Sequence, residues 1–249
     1  MTPPPIPSVS FYPADFETSF PTVSPNAPPF PSLTPLSHTT NRISLVPLSA
    51  DHIPDLWKHV GGAEKYMLYK HMPSGPFNTI EDFTAYLTWL INYSESSFVS
   101  WAIILPSGEA VGIISLLNIV PDQRRIEVGH VLFSKILQRT TEATEACFVL
   151  MDYCFKLGYE RVEWKCNAEN MGSKRAAERL GFVAEGLFRR HMVVRGRRRD
   201  SWYASVILDE WEGVREALVE WLELENFDEK GGQKRKVEEI REKLLRKFD

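Results

Sequence analysis

Two spacings of apolar residues organise this chain. Three blocks read as strands: "FVSWAIIL" (98–105), "AVGIISLLNIV" (110–120) and "RIEVGHVLF" (125–133). Between the first two, "PSGE" (106–109) has the residues of a hairpin turn. Elsewhere the apolar positions recur every three or four residues. Ser49 can cap a helix carrying Ile53, Leu56, Trp57 and Val60, which "GG" at 61–62 ends. Thr79 and Asp82 resemble a capping box before Ile80, Phe83, Leu87, Leu90 and Ile91. A third helix, over 138–158, carries Ala143, Ala146, Cys147, Leu150, Cys154 and Leu157 and stops at Gly158. "RISLVPL" (42–48) and "YERVEWKCN" (159–167) are further strands, and Asn170 to Leu180 is a short helix closed by Gly181. "FVAEGLFRRHMVV" and "RRRDSWYASVIL" are two strands joined around "RGR" (195–197), where Gly196 supplies the turn. Trp211, Val214, Leu218 and Leu222 mark a C-terminal helix.

The order is therefore strand, helices, antiparallel strands, helix, strand, helix, hairpin. The strand–helix–strand unit in the middle requires a parallel crossover, and the remaining pairings are antiparallel. The fold class is mixed α/β. Two tails flank this core. Residues 1–40 hold 11 of the 17 prolines and no glycine, so this segment is expected to be extended or disordered. Phe11, Phe16, Phe20 and Phe30 are its candidates for contact with the domain. Residues 226–249 are mostly charged, with Val237, Ile240, Leu244 and Phe248 as a thin apolar stripe that is helical only if it docks.

With 249 residues, 43% hydrophobic and 25% charged, the composition is that of a soluble globular protein. A net charge of −4 argues against a general nucleic-acid binder. No run approaches the roughly 18 apolar residues of a membrane span. The N-terminus has neither the charged and apolar regions of a secretory signal nor, with no Arg before Arg42, the pattern of a mitochondrial presequence. Cys147 and Cys154 lie seven apart on one helix, about 10.5 Å of rise, too far for a disulfide. All three cysteines, Cys166 included, read as reduced core residues of a cytoplasmic protein. No Cys/His spacing suits zinc, so no metal is expected.

The informative stretch is "LQRTTEATEA" (137–146), a polar loop joining a strand to a helix start. The first turn of a helix has unsatisfied N–H donors and a partial positive charge, which suit a phosphate. The stretch contains no proline, so every residue keeps its donor. It contains no glycine either, and read alone it could be a capped helix start without a ligand.

The stretch resembles the Q-x-x-G-x-A-T-E-A segment of the GNAT superfamily of N-acetyltransferases, in its RimJ/RimL-type branch. "NAENMGSKRAAERLGFVAEGLF" (167–188) is similar to that branch's N-x-x-S…LGF-x-x-EG element, and "IEVGHVLF" fits the strand before the loop. The resemblance covers about residues 42 to 210. It implies an acyltransferase domain over 41–225 with a mixed, mostly antiparallel seven-strand sheet flanked by helices. It also implies acetyl-CoA or another acyl-CoA as co-substrate, and acyl transfer to an amine by direct attack without a covalent enzyme intermediate. The cofactor-binding residues implied are Val131, Leu132 and Phe133 on the strand, Gln138, Arg139, Thr140, Thr141, Glu142, Ala143 and Thr144 in the loop, and Asn170 and Ser173 beside the pantetheine and its thiol. The family's usual glycine stands here as Thr141, and another common glycine as Arg139. Glu142 is expected to point to solvent.

For chemistry, the attacking amine must lose a proton. Glu127 occupies the strand position where many relatives place a carboxylate; otherwise it is the ion-pair partner of a neighbour such as Arg125. His130 is three residues on, which strand alternation puts on the opposite face. Ser173 completes the catalytic candidates. Two family features are missing: the general-acid tyrosine would fall near Ala177 and the RimL-like glutamate near Met192. Tyr203, His191 and Asp200 are nearby polar candidates. Arg189, Arg190, Arg195, Arg197, Arg198 and Arg199 crowd the last hairpin. They face an acidic acceptor or the CoA 3′-phosphate, or form an ordinary solvated surface. The expected activity is acyl transfer, most simply acetyl, to a primary amine of a protein N-terminus or a small molecule, by a monomer or homodimer. The alternative is a non-catalytic acyl-CoA-binding or scaffold protein.

Overall fold

The structure is a computed structural model that describes residues 23–93 and 98–245. Phe11, Phe16, Phe20 and Phe248 lie outside the described residues. In chain order the strands and α-helices are β1 (Leu36–Ser37), β2 (Ser44–Pro47), α1 (Ile53–Val60), α2 (Ile80–Asn92), β3 (Phe98–Ile104), β4 (Ala110–Val120), β5 (Arg125–Phe133), α3 (Thr141–Lys156), β6 (Arg161–Asn167), α4 (Met171–Leu180), β7 (Val183–Val194), β8 (Arg197–Ile207), α5 (Leu208–Leu222) and α6 (Val237–Leu245). They form one sheet in the order β1-β2-β3-β4-β5-β6-β8-β7. The β5–β6 pair is parallel and the others are antiparallel. The eighth strand beyond the seven expected is β1, two residues from the proline-rich segment that pair with β2.

Helix α3 supplies the crossover between the parallel strands. It buries 12 of its 16 residues, more than one face can account for, so it is covered on both sides. One side lies on the sheet in a cluster that includes Ile126, Val128 and Val162. The other meets α5, with Phe155 stacked on Trp211 at 4.4 Å, and the N-terminal segment, where Tyr153 Oη accepts from Ser32 N at 2.9 Å. Glu145, fully buried, is held by that segment: it accepts from the Thr40 hydroxyl and from the Arg42 N–H at 3.0 Å, with the Arg42 guanidinium at 3.3 Å. A buried carboxylate is tolerable only with such donors. Of the four N-terminal phenylalanines, Phe30 is described, and it is 39% exposed.

The opposite sheet face is covered by α1 and α2 in a second cluster with Ala102, Ile113 and Leu132. At the hairpin tip, Arg195 and Gly196 both have positive φ (50° and 71°), the geometry that matches the twist of two paired strands. The C-terminal stripe docks: Val237 and Ile240 are buried, and Arg241 donates to the Arg179 and Glu178 carbonyls at the end of α4. Cys147, Cys154 and Cys166 are free and buried. Among the described residues, no helix is long and apolar enough to cross a membrane.

Candidate active site

The parallel pairing of β5 with β6 is confined to Arg125–Glu127 against Arg161–Glu163. Beyond Glu127 the two strands part, and the β6-facing edge of β5 has no strand partner among the described residues. Glu127 stands at this fork. It is 1% exposed, and its Oε2 accepts from Asn118 Nδ2 at 2.6 Å and from Lys165 Nζ at 3.1 Å. Its ion-pair partner is thus Lys165 across the fork; Arg125 instead faces Glu163 at 3.6 Å. Burial raises the Glu127 carboxyl above the usual range, while Lys165 and Asn118 pull it back. Gly129 leaves room for the carboxylate. A Cβ there would lie 2.7 Å from Leu117 Cδ1 and 3.1 Å from Glu127 Oε1.

His130 does not lie on the opposite face from Glu127. Register shifts between Ile113 and Ser115 of β4, where β5 advances from Leu132 to Gly129, so β5 carries one extra residue. His130 takes the strained φ of 48°. The bulge resets the alternation. Ile126 and Val128 pack in the α3 cluster, whereas Leu132 packs in the α1/α2 cluster. The imidazole emerges on the α1/α2 face, the face of Glu127, between Phe98 at 5.7 Å and Tyr86, whose Oη is 2.6 Å from His130 Nε2. Burial pushes the imidazole down to about 4, so it is neutral at neutral pH. Tyr86 was legible in sequence as the polar member of the α2 stripe, three residues from Phe83.

The loop after β5 is tied at both ends and open in the middle. Gln138 donates from its amide to Phe133 O at 2.9 Å and from its backbone to Ser134 O at 3.0 Å. Thr140 caps α3: its hydroxyl accepts from Ala143 N at 3.2 Å and donates to Leu137 O at 2.7 Å. Thr144 is held by Arg179 Nη1 at 2.9 Å. That leaves the N–H groups of Arg139, Thr140, Thr141 and Glu142 with no acceptor among the described residues. Arg139, at a common glycine position of the family, has φ of 65°, a left-handed conformation that glycine adopts at lower cost. Glu142 is part-buried, and its carboxylate has no hydrogen-bond or ion-pair partner among the described residues. Val131 and Phe133 are part-buried against the α3 cluster, while the Leu132 side chain is enclosed, leaving only its backbone.

Asn170 caps α4, accepting from Ser173 N at 3.1 Å. The Ser173 hydroxyl accepts from Trp164 Nε1 at 2.9 Å, and Trp164 packs in the α3 cluster, so the hydroxyl lies on the α3 side of β6, across the fork from Glu127. Ala177 is fully buried and Met192 is 36% exposed, and neither brings an acid or base. Tyr203, Phe188 and His191 cluster on the open face beside Lys165, with Tyr203 and Phe188 4.4 Å apart. Asp200 is occupied by the Arg190 N–H at 2.6 Å. The arginines divide: Arg197 and Arg198 are exposed, Arg199 has a buried Nε, and Arg195 donates to Ser74 O at 2.8 Å and to Tyr69 O at 3.4 Å. Among the described residues, no group of three or more His, Cys, Asp or Glu side chains is placed to hold a metal.

A strand fork with an open edge, ending in a ring of free amides, matches a known domain. Residues 42–183 match the acetyltransferase (GNAT) domain family. The chain belongs to that family. It is 36% identical to a GCN5-related N-acetyltransferase structure from Brucella melitensis, with a TM-score of 0.82 over 88% of this chain and 99% of the other. It is 30% identical over 178 residues, 71% of this chain and 94% of the other, to YdaF of Bacillus subtilis (strain 168), whose name carries a provisional ribosomal N-acetyltransferase designation. It shares its fold with Mycobacterium smegmatis RimJ in complex with CoA-disulfide, at 21% identity and a TM-score of 0.59, over 71% of this chain and 87% of the other. The family's enzymes are N-acetyltransferases.

Proposed function

We propose that this GNAT protein is a cytoplasmic acyl-CoA-dependent N-acyltransferase that moves acetyl from acetyl-CoA to a primary amine. The observation that carries the reading is the continuity of the fork with the loop amides. The unpaired edge of β5 offers backbone groups to the two amides of a pantetheine arm, as a strand edge does to a peptide. The four free N–H groups of Arg139 to Glu142 sit at the helix N-terminus, where they suit a pyrophosphate. Asn170 and Ser173 flank the far wall. Acetyl-CoA supplies the thioester; Glu127 takes up the proton released by the attacking amine, and no enzyme nucleophile is needed. The name of YdaF supports a protein N-terminal amine as acceptor, and a small amine is the alternative. The deciding test is acetyl-CoA turnover with a panel of N-terminal peptides and small amines, followed as free thiol. Thiol release above the uncatalysed rate supports the reading, and stoichiometric binding without turnover favours the acyl-CoA-binding alternative.

The loop's role has its own test. Thr141 is the first residue of α3, where proline is well tolerated, and Thr140 has the extended backbone (φ −103°, ψ 168°) that proline requires before it. Thr141→Pro therefore deletes one donor and keeps the helix. It should weaken CoA binding by about 1–3 kcal/mol by calorimetry, whereas Thr141→Gly should leave binding unchanged or tighter. Unchanged affinity in the folded proline variant would remove the loop from the site.

The hairpin bears on the acceptor. Arg197 and Arg198 are exposed and free of the Ser74 clasp, as are Arg189 and Arg190 further along the hairpin; lying next to the turn, the first two are the arginines placed to steer an anionic acceptor. Charge attraction at that range is screened beyond about 8 Å at physiological salt. Raising salt should raise KM for an acidic acceptor more than KM for acetyl-CoA. Replacing Arg197 and Arg198 by Gln should flatten that dependence with little change in melting temperature; an unaltered salt profile would assign them to an ordinary surface.

A further inference from the structure

We propose that the hydrogen-bonded pair Tyr86 and His130, with Ser74 beside the phenol, carries a solvent proton to the leaving sulfur of the acyl donor. The inference rests on the acyl-transfer reading above. Transfer forms a C–N bond and breaks the C–S bond; the sulfur departs with the bonding pair and must be protonated. Ala177 has no hydroxyl to do this, and it is sealed in the core. The chain built around His130 is the alternative source that the fold provides.

Its members are connected in space. Tyr86 Oη lies 2.6 Å from His130 Nε2, and Ser74 lies beside the same phenol. With the phenol donating to Nε2, the ring proton of His130 resides on Nδ1. Nδ1 has no acceptor among the described residues. The bulge places this ring on the Glu127 face of β5, past the point where β5 leaves β6. The imidazole is neutral at neutral pH, as its depressed titration implies, so it can release Nδ1–H while gaining a proton at Nε2. Tyr86 supplies that proton and recovers one from solvent on the side of the part-buried Ser74. One proton thus enters beside Ser74 and one leaves at the sulfur, while the amine's own proton departs through Glu127.

The surroundings hold the chain in register. The Tyr86 ring is stacked on Phe77 at 4.6 Å, and Trp89 lies parallel at 6.3 Å. Arg195, reaching from the β7–β8 tip, holds the Ser74 carbonyl and acts as a positioning residue. Tyr86→Phe removes the hydroxyl and keeps the stacking.

The test compares two acyl donors with the full-length protein and an amine that the wild type acetylates. Acetyl-CoA needs its sulfur protonated; S-acetyl-4-nitrothiophenol releases a thiolate that is stable without a proton. With acetyl-CoA, Tyr86→Phe should lower kcat by about tenfold or more, with KM for acetyl-CoA within about twofold and a changed solvent isotope effect. Ser74→Ala should show a smaller loss. With the nitrothiophenyl donor, both variants should match the wild type. A wild-type kcat in Tyr86→Phe, or equal losses with the two donors, overturns the chain while leaving acyl transfer standing. A wild type that turns over no amine overturns both.

Discussion

Glu127→Gln is expected to lower kcat by about 10²-fold, with little change in acetyl-CoA affinity. The carboxylate is buried at the fork, on the face it shares with His130, and burial alone would favour its protonated form. Lys165 and Asn118 counter that by donating to its Oε2. The net direction stays upward, so the carboxyl is kept from bulk water with a raised affinity for a proton, which suits a base. Glutamine preserves the shape and can still accept from Asn118, but it cannot take a proton. It also leaves Lys165, only 16% exposed in its side chain, without its carboxylate. Some stability is lost with it, so activity is to be compared where both proteins are folded. Because an amine acceptor is mostly protonated near neutral pH, the variant should regain activity as pH rises. A variant with wild-type kcat from about pH 6 to 9 would move proton removal to solvent.

His130→Asn is expected to flatten the acid side of the stability curve. Asparagine tolerates the positive φ at this bulge. The imidazole titrates near 4 in the fold, against an ordinary 6.5 in the unfolded chain, because burial penalises its charged form. For a group depressed in this way, the stability contribution is complete above 6.5 and disappears as pH falls through about 4. The full linkage for such a shift is on the order of 3 kcal/mol. Urea unfolding at neutral pH and near pH 4.5 measures it in each protein. The variant starts lower, having lost the Tyr86 hydrogen bond, and the gap should narrow by about 2–3 kcal/mol at the acid pH. His52 and His71 are also lowered by burial, but they remain in both proteins and cancel in the comparison. Parallel curves would mean that His130 charges freely and is not enclosed.

The sequence carried the helices and hairpins well because their signals are local. The stripe of α2, the cap of α3 and the Arg195–Gly196 turn each depend on neighbours within a few residues. The parallel crossover followed from element order alone. What it could not carry were pairings that depend on register between distant strands. Lys165 meets Glu127 only because β5 and β6 align Glu127 with Glu163, and Arg125 was the nearer partner along the chain. The bulge at His130 comes from a mismatch between β4 and β5 that no local pattern marks, and it inverted the face deduced from alternation. The loop was legible as a set of donors, but not which were spent. Capping by Thr140 and the Gln138 turn consume those at Gln138 and Ala143 and leave four. The anchoring of Glu145 by Thr40 and Arg42 was hidden because it joins residues about a hundred positions apart.

The central claim is that the fork and its amide loop serve acyl transfer to nitrogen. Mass spectrometry of the acceptor after incubation with acetyl-CoA tests it most directly, using peptides with a free N-terminus and small amines, with Glu127→Gln beside the wild type. The expected result is an acetyl group on the amine nitrogen, formed in step with free CoA and much more slowly by the variant. Saturable CoA binding with unmodified amines across the panel, and no thiol released beyond the uncatalysed rate, would contradict it.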